Sequence, residues 1–420
     1  MRTETPSNVL LVLLRLDLKA PQQFITTAGQ QRDSVQYLVE GKQYHLLAGV
    51  LDPTNRSTGA PVTLMELTGD KLKTYNGILR DFQKISEKFY GEDGFIAKPE
   101  SYTGEKQEEV YESLSDLGCH ICQLFEDEDP RMKERRPIRD WLSKILYSSD
   151  ADTDFRPVTI VTNDLNVPWF WLKKVKFGPF LCEKCPLGLL QLSAGSGIEI
   201  PEYPKTDTYN ALLIDGATTL PFASASLDAI SGFLGDPLYK LKRFQPHRVT
   251  GLDEIRNLRK TYRKEQLLSD FRIIHFSGQY DRETMLLNGE SVDWDDLSNL
   301  NLLSSSLLVL DGASRVAGFG AWTDAQSLTS ALLNQQQALG CVVNVLPVKD
   351  DPIVSQILWG NFYRELRQPA GTIAQALFKA RKKLREHFEE IGSKNPAWAF
   401  YQLMGSASVQ LCQEKEDRDV

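Results

Sequence analysis

The sequence predicts an α/β protein: a mostly parallel sheet flanked by helices over residues 151–420, preceded by a mixed strand-plus-helix region over 1–150. Three observations carry this. After residue 155, short runs rich in β-branched residues alternate with helix-like stretches. Those runs are apolar throughout, the pattern of strands covered on both faces. Before residue 150 the order differs, with strand-like runs first and helical periodicity afterwards.

In chain order, "NVLLVLLRL", "DSVQYLVE" and "PVTLMEL" read as strands, with turn-rich chain such as "LDPTNRSTGAP" between them. Apolar residues at helical spacing predict helices in "KLKTYNGILRDFQKISEKFY", "EEVYESLSDLGCHICQLF" and "IRDWLSKILY". The Gly- and Pro-bearing "GEDGFIAKPESYTGEK" is a loop between the first two. Beyond residue 155, strands are expected at "PVTIVT", "NALLIDG", "DFRIIHFSG", "SSLLVLDGA" and "CVVNVLPV". Helices are expected at "SLDAISGFLG", "LDEIRNLRKTYRKEQLLS", "DAQSLTSALLNQQQALG", "IVSQILWGNFYRELRQ" and "TIAQALFKARKKLREHFEEIG".

Composition narrows the function classes. The chain has 420 residues, 41% hydrophobic and 25% charged, an ordinary soluble globular balance. A net charge of −8 gives no global basic field for nucleic acid or an anionic membrane. Arg15 and Asp17 interrupt the apolar N-terminal run, and no stretch is long enough to span a bilayer. Six cysteines in this length are no disulfide framework, so a reducing, cytoplasmic setting is expected.

In open parallel sheets, function gathers outside the carboxyl ends of the strands. Four loops qualify, beginning at Asp215, Ser277, Asp311 and Pro347. The segments at and around these strands form an ordered series: "VTNDLNVPWFWL" with Pro168 and Trp169, "ALLIDGATTLPFASASLDAI", "IIHFSGQYD", "SSLLVLDGAS", "GCVVNVLPVKDDPIVSQILWGNFYREL", "TIAQALFKARKKL" and "NPAWAFYQLMG". In that order they resemble the CHAT family, the caspase- and separase-like cysteine proteases, over residues 155 to 410. The upstream "LSDLGCHICQLF" is similar to a helix that precedes some CHAT domains.

The resemblance implies a caspase-like sheet and nucleophilic chemistry. A cysteine at one strand end attacks the peptide carbonyl, a histidine on the neighbouring loop moves the proton, and backbone N–H groups hold the oxyanion. Carried over residue by residue, His275 matches a first histidine inside the strand. The acting-histidine position falls on Gln279, the following glycine on Tyr280 and the nucleophile on Ala313. Gln does not titrate, Ala has no nucleophile, and Tyr is bulky where backbone must approach substrate. Asp311, Asp215, Gly278 and Tyr280 are the expected pocket residues. A carboxylate pair there favours a long cationic side chain.

Two explanations stay open. The chain has lost catalysis and acts by binding a protein or peptide, such as a related protease or effector complex, in a bacterial antiphage, CRISPR-linked or programmed-death system. Alternatively, it is an endopeptidase cutting after Arg or Lys, with alanine replacing the cysteine at 313 and His275 as base. A third class is a structural subunit with no peptide pocket. His275 also reads as a buried strand histidine, and Asp311 as a turn-capping acid.

Other signals are weaker. Cys119/Cys122 and Cys182/Cys185 are two C-x-x-C pairs, which bind zinc when they converge and are otherwise buried thiols. "RMKERRPIR" and "KARKKLREH" read as solvated basic faces, and "DWDDL" as the acidic start of a helix. No Walker-type phosphate loop occurs. No cofactor, metal, nucleic-acid partner or membrane partner is expected.

Overall fold

A computed structural model describes residues 8–17, 44–51, 62–89, 104–126, 137–147, 156–191, 208–216, 223–235, 243–264, 271–280, 283–298, 306–314, 338–346, 352–368 and 371–411. Its strands are β1 (Val9–Asp17), β2 (Tyr44–Leu51), β3 (Val62–Leu67), β4 (Val158–Thr162), β5 (Leu187–Gln191), β6 (Thr208–Asp215), β7 (Arg243–Val249), β8 (Phe271–Tyr280), β9 (Thr284–Leu287), β10 (Glu290–Asp293), β11 (Leu307–Ser314), β12 (Gly340–Asn344) and β13 (Tyr401–Met404). The helices are α1 (Gly69–Glu87), α2 (Gly104–Gln123), α3 (Pro137–Tyr147), α4 (Leu181–Lys184), α5 (Ala223–Gly235), α6 (Leu252–Lys264), α7 (Trp294–Ser298), α8 (Pro352–Leu366) and α9 (Ile373–Glu390).

The 13 strands among the described residues join one mixed sheet, so the fold is α/β with a large, mostly parallel sheet flanked by helices. Its order runs β10-β9-β8-β11-β12-β13-β5-β4-β1-β2-β3, with β6 on β8 and β7 on β6. Strands β7, β6, β8, β11 and β12 are mutually parallel. β13 is antiparallel to β12, and β5, β4 and β1 follow its direction. The sheet crosses the boundary expected near residue 150, because β1 pairs with β4.

The central strands form where the sequence is apolar throughout. Residues 271–278 of β8 and 340–344 of β12 are buried without alternation, the pattern of strands covered on both faces. β1 is different: Val9, Leu11 and Leu13 are buried while Leu10, Val12 and Leu14 are half-buried. The helices expected over 71–147 form as α1, α2 and α3. α9 opens on a capping box, in which Thr372 Oγ1 accepts from Gln375 N–H and Gln375 Oε1 accepts from Thr372 N–H, each at 3.1 Å.

Several strands carried little signal. β7, "RFQPHRV", contains Pro246 and tolerates it because a strand at the sheet edge has one unpaired side. The β9–β10 hairpin turns on Asn288 (φ 48°) and Gly289 (φ 83°), the left-handed pair of a type I′ turn. β2, β5 and β13 were also not expected as strands. The expected strand "DSVQYLVE" and the expected helix at 324–340, up to residue 337, lie outside the described residues.

At the carboxyl ends of β1 and β4, Arg15 Nη1 donates to Tyr75 Oη at 2.8 Å and reaches Asp164 Oδ2 at 3.4 Å. Tyr75 donates to the same carboxylate. Trp169 Nε1 donates to Asp164 O at 3.0 Å, and Trp171 Nε1 to Ala399 O at 3.0 Å. These bonds tie α1, the Trp169–Trp171 turn and the C-terminal segment to the sheet.

Candidate functional site

Chain direction places the site. From β6 the chain steps outward to β7, then returns to the other side of β6 as β8 and continues to β11 and β12. Strand order therefore reverses between β6 and β8, the place where open α/β sheets leave a crevice at their carboxyl edge.

The register brings the expected residues to that edge in two rows. Asp215 lies opposite Ser277, and Ser277 opposite Asp311. One step further out, Gln279 lies opposite Ala313. Adjacent strands run about 4.8 Å apart, so each row is a line of close neighbours. His275 and Asp311 both face α8. His275 Nδ1 meets Tyr363 Oη at 2.7 Å, and its Nε2 points at Asp311 Oδ2 from 3.7 Å. His275 is fully buried, and among the described residues its Nε2 has no hydrogen-bond partner.

Asp311 is occupied. Trp359 Nε1 donates to Oδ2 and Tyr401 Oη to Oδ1, both at 2.7 Å, and the residue is 8% exposed. The Trp359 ring also stacks edge-on against His275 and Tyr401, each with centroids at 5.0 Å. The Tyr363 hydroxyl is pushed well above its ordinary range, by burial first and by the Asp311 charge second. It therefore stays protonated beside His275.

Asp215, 6% exposed, is held by Arg248 of β7. Arg248 Nε donates to Asp215 Oδ2 at 3.1 Å and Nη2 donates to the same oxygen, while Nη1 pairs with Asp228 on α5. Both expected pocket acids are thus on the carboxyl edge, and both have donors from within the chain.

Tyr280 turns the other way. Its ring packs against Phe276 and Trp294, with centroids at 6.3 and 6.4 Å, and its hydroxyl donates to Asn344 Oδ1 at 3.4 Å. Asn344 Nδ2 donates to the Gly312 carbonyl and, at 3.3 Å, to that of Leu346. Close approach explains the glycines here. A Cβ on Gly312 would overlap the Gly278 carbonyl, and one on Gly278 would press on Gly216. Pro347 and residues 217–222, 281–282, 315–337 and 347–351 lie outside the described residues.

The other sequence signals resolve into packing. The Cys122 thiol is pushed up to about 11 and that of Cys182 to about 12, in each case mainly by burial. The thiols of Cys185 and Cys341 are likewise raised by burial. Among the described residues no group of three or more His, Cys, Asp or Glu gathers to hold a metal. Much of "KARKKLREH" is paired or buried: Lys379 with Glu365, Lys383 with Glu386, Arg385 with Glu183, and Arg381 inside the core. "RMKERRPIR" lies largely outside the described residues. Asp296 of "DWDDL" pairs with Arg256 at 3.6 Å.

Arg248, Asn344, Trp359, Tyr363 and Tyr401 were not among the expected site residues. Trp359 and Tyr363 were findable, because aromatics four apart share one face of a helix. Compared with known proteins, the chain matches no family model and no curated sequence. No helix among the described residues is long and apolar enough to cross a membrane.

Proposed function

We propose that this chain is a catalytically silent CHAT-like, caspase-like protein that acts by binding a protein or peptide at the carboxyl edge of its sheet. The pairing of Gln279 with Ala313 carries the reading. These are the positions that the resemblance assigns to base and nucleophile, they are register neighbours, and neither residue type moves a proton or attacks a carbonyl. His275 supports it further: a base must reach the proton it abstracts, and this ring lies buried between α8 and Asp311. A cytoplasmic setting and an antiphage, CRISPR-linked or programmed-death role belong to the same proposal and rest on the resemblance.

The competing reading is an Arg- or Lys-directed endopeptidase with alanine in place of cysteine. Its support is the row that sets Asp215 and Asp311 on either side of Ser277. One assay separates the two. Fluorogenic peptides ending in Arg or Lys are incubated with the wild-type chain, Ala313→Cys, and Ala313→Cys with Gln279→His. Wild type and Ala313→Cys are expected to stay silent. Cleavage by Ala313→Cys alone, abolished by His275→Ala, would overturn the proposal.

A further inference from the structure

The acid at the end of β6 already holds a guanidinium. Arg248 sits on the edge strand, with 31% of its side chain exposed, and directs Nε and Nη2 at one oxygen of Asp215 and Nη1 at Asp228. Asp215 is the more buried partner, at the strand-order reversal, while Asp228 is largely exposed on α5. A fork of N–H groups between two carboxylates is how a protein recognises an arginyl side chain from another molecule. Here the chain supplies its own.

We propose that Asp215 and Asp228 form an arginyl-side-chain site kept filled by Arg248, so that Arg248 competes with an arginine of a bound peptide. This rests on the reading of the carboxyl edge as a binding surface and adds how that surface is regulated. The register favours an origin in the site over an incidental surface pair. Leu213 lies opposite both Arg248 and His275, and Asp215 is two residues beyond it on the same strand, so the guanidinium occupies the site's own face. Asp311 gives the contrast. Its partners are Trp359 and Tyr401, neutral donors on covering elements that a basic ligand does not imitate. Of the two expected pocket acids, only Asp215 is satisfied by the group a basic peptide would bring. The competition is intramolecular, so an external arginine binds only in the fraction of molecules whose Arg248 has swung out.

The test compares the full-length wild type with Arg248→Ala, using acetyl-arginine amide as the probe and guanidinium ion at equal ionic strength as the control. Calorimetry reads the affinity. Arg248→Ala is expected to bind acetyl-arginine amide at least about tenfold more tightly than wild type. Adding Asp215→Asn should abolish the gain. Arg248→Gln is shorter and uncharged but stays polar on the edge strand, and should behave like Arg248→Ala, so a misfolded alanine variant leaves the test intact. Equal affinities for wild type and both variants would overturn the proposal. So would a gain in affinity for guanidinium ion as large as the gain for acetyl-arginine amide, which marks a vacated ion pair with no site for the rest of the residue. Neither result depends on peptide cleavage, so failure here is distinct from failure of the proposed function.

Discussion

Replacing Asp311 with alanine removes the acceptor on which Trp359, Tyr401 and the face of His275 converge. Two hydrogen bonds of 2.7 Å are lost, and both donors stay buried. A hydrogen bond to a charged group contributes about 1.5–3 kcal/mol, so the pair sums to about 3–6 kcal/mol. That is a large part of the 5–15 kcal/mol typical of a folded domain. Asparagine keeps one acceptor but turns an N–H₂ group toward the other donor. Asp311→Asn should therefore lie between wild type and Asp311→Ala. Urea unfolding followed by tryptophan fluorescence and far-UV circular dichroism measures both. If Asp311→Ala costs under about 1 kcal/mol, the carboxylate is no anchor of the site, and the pocket reading, in which its removal affects ligand and leaves the fold intact, takes its place.

Gly312→Ala should destabilise by about 1–3 kcal/mol or more, because the added methyl meets the Gly278 backbone and no rotamer relieves it; the same urea titration checks this. Tyr363→Phe takes away the hydrogen-bond partner that the buried His275 ring has among the described residues, at about 1–3 kcal/mol, and in the unfolding transition Tyr363→Phe with His275→Phe should be less destabilised than the two losses added. The Cys182 thiol is raised in the fold to about 12, so it stabilises the folded state below the ordinary thiol range and loses that contribution as pH climbs from there toward 12. Cys182→Ala should accordingly flatten the alkaline limb of a stability–pH profile, and iodoacetamide should label Cys182 and Cys185 only after unfolding, as read by peptide mass spectrometry.

Much of this architecture is legible in the residues. β6, β8, β11 and β12 announce themselves because burial on both faces demands unbroken apolar runs, and their carboxyl ends name Asp215, Ser277 and Asp311 directly. The register that sets Gln279 opposite Ala313 is not fixed by those runs, because uniformly apolar strands fit one another at more than one offset. The partners of the acids are another matter. Trp359 comes from 48 residues beyond Asp311 and Tyr401 from 90, and nothing local in "LVLDGAS" announces either. Arg248 sits on a strand whose proline and charges mask its periodicity; an edge strand survives with weak propensity because its neighbour supplies the hydrogen bonds. Local pattern shows where an ionisable group stands, and long-range packing decides whether it is free.

The reversal of direction at β13 has a consequence for change over time. The carboxyl ends of β6, β8, β11 and β12 lie on one margin of the sheet, and those of β1, β4 and β5 on the opposite margin. The antiparallel pairing of β12 with β13, from Cys341 opposite Met404 to Asn344 opposite Tyr401, joins the two sets. Each margin can lengthen, swap or decorate its loops without disturbing the other. Selection can then tune two poles of one molecule separately, as with a tool given a different head at each end of a common handle.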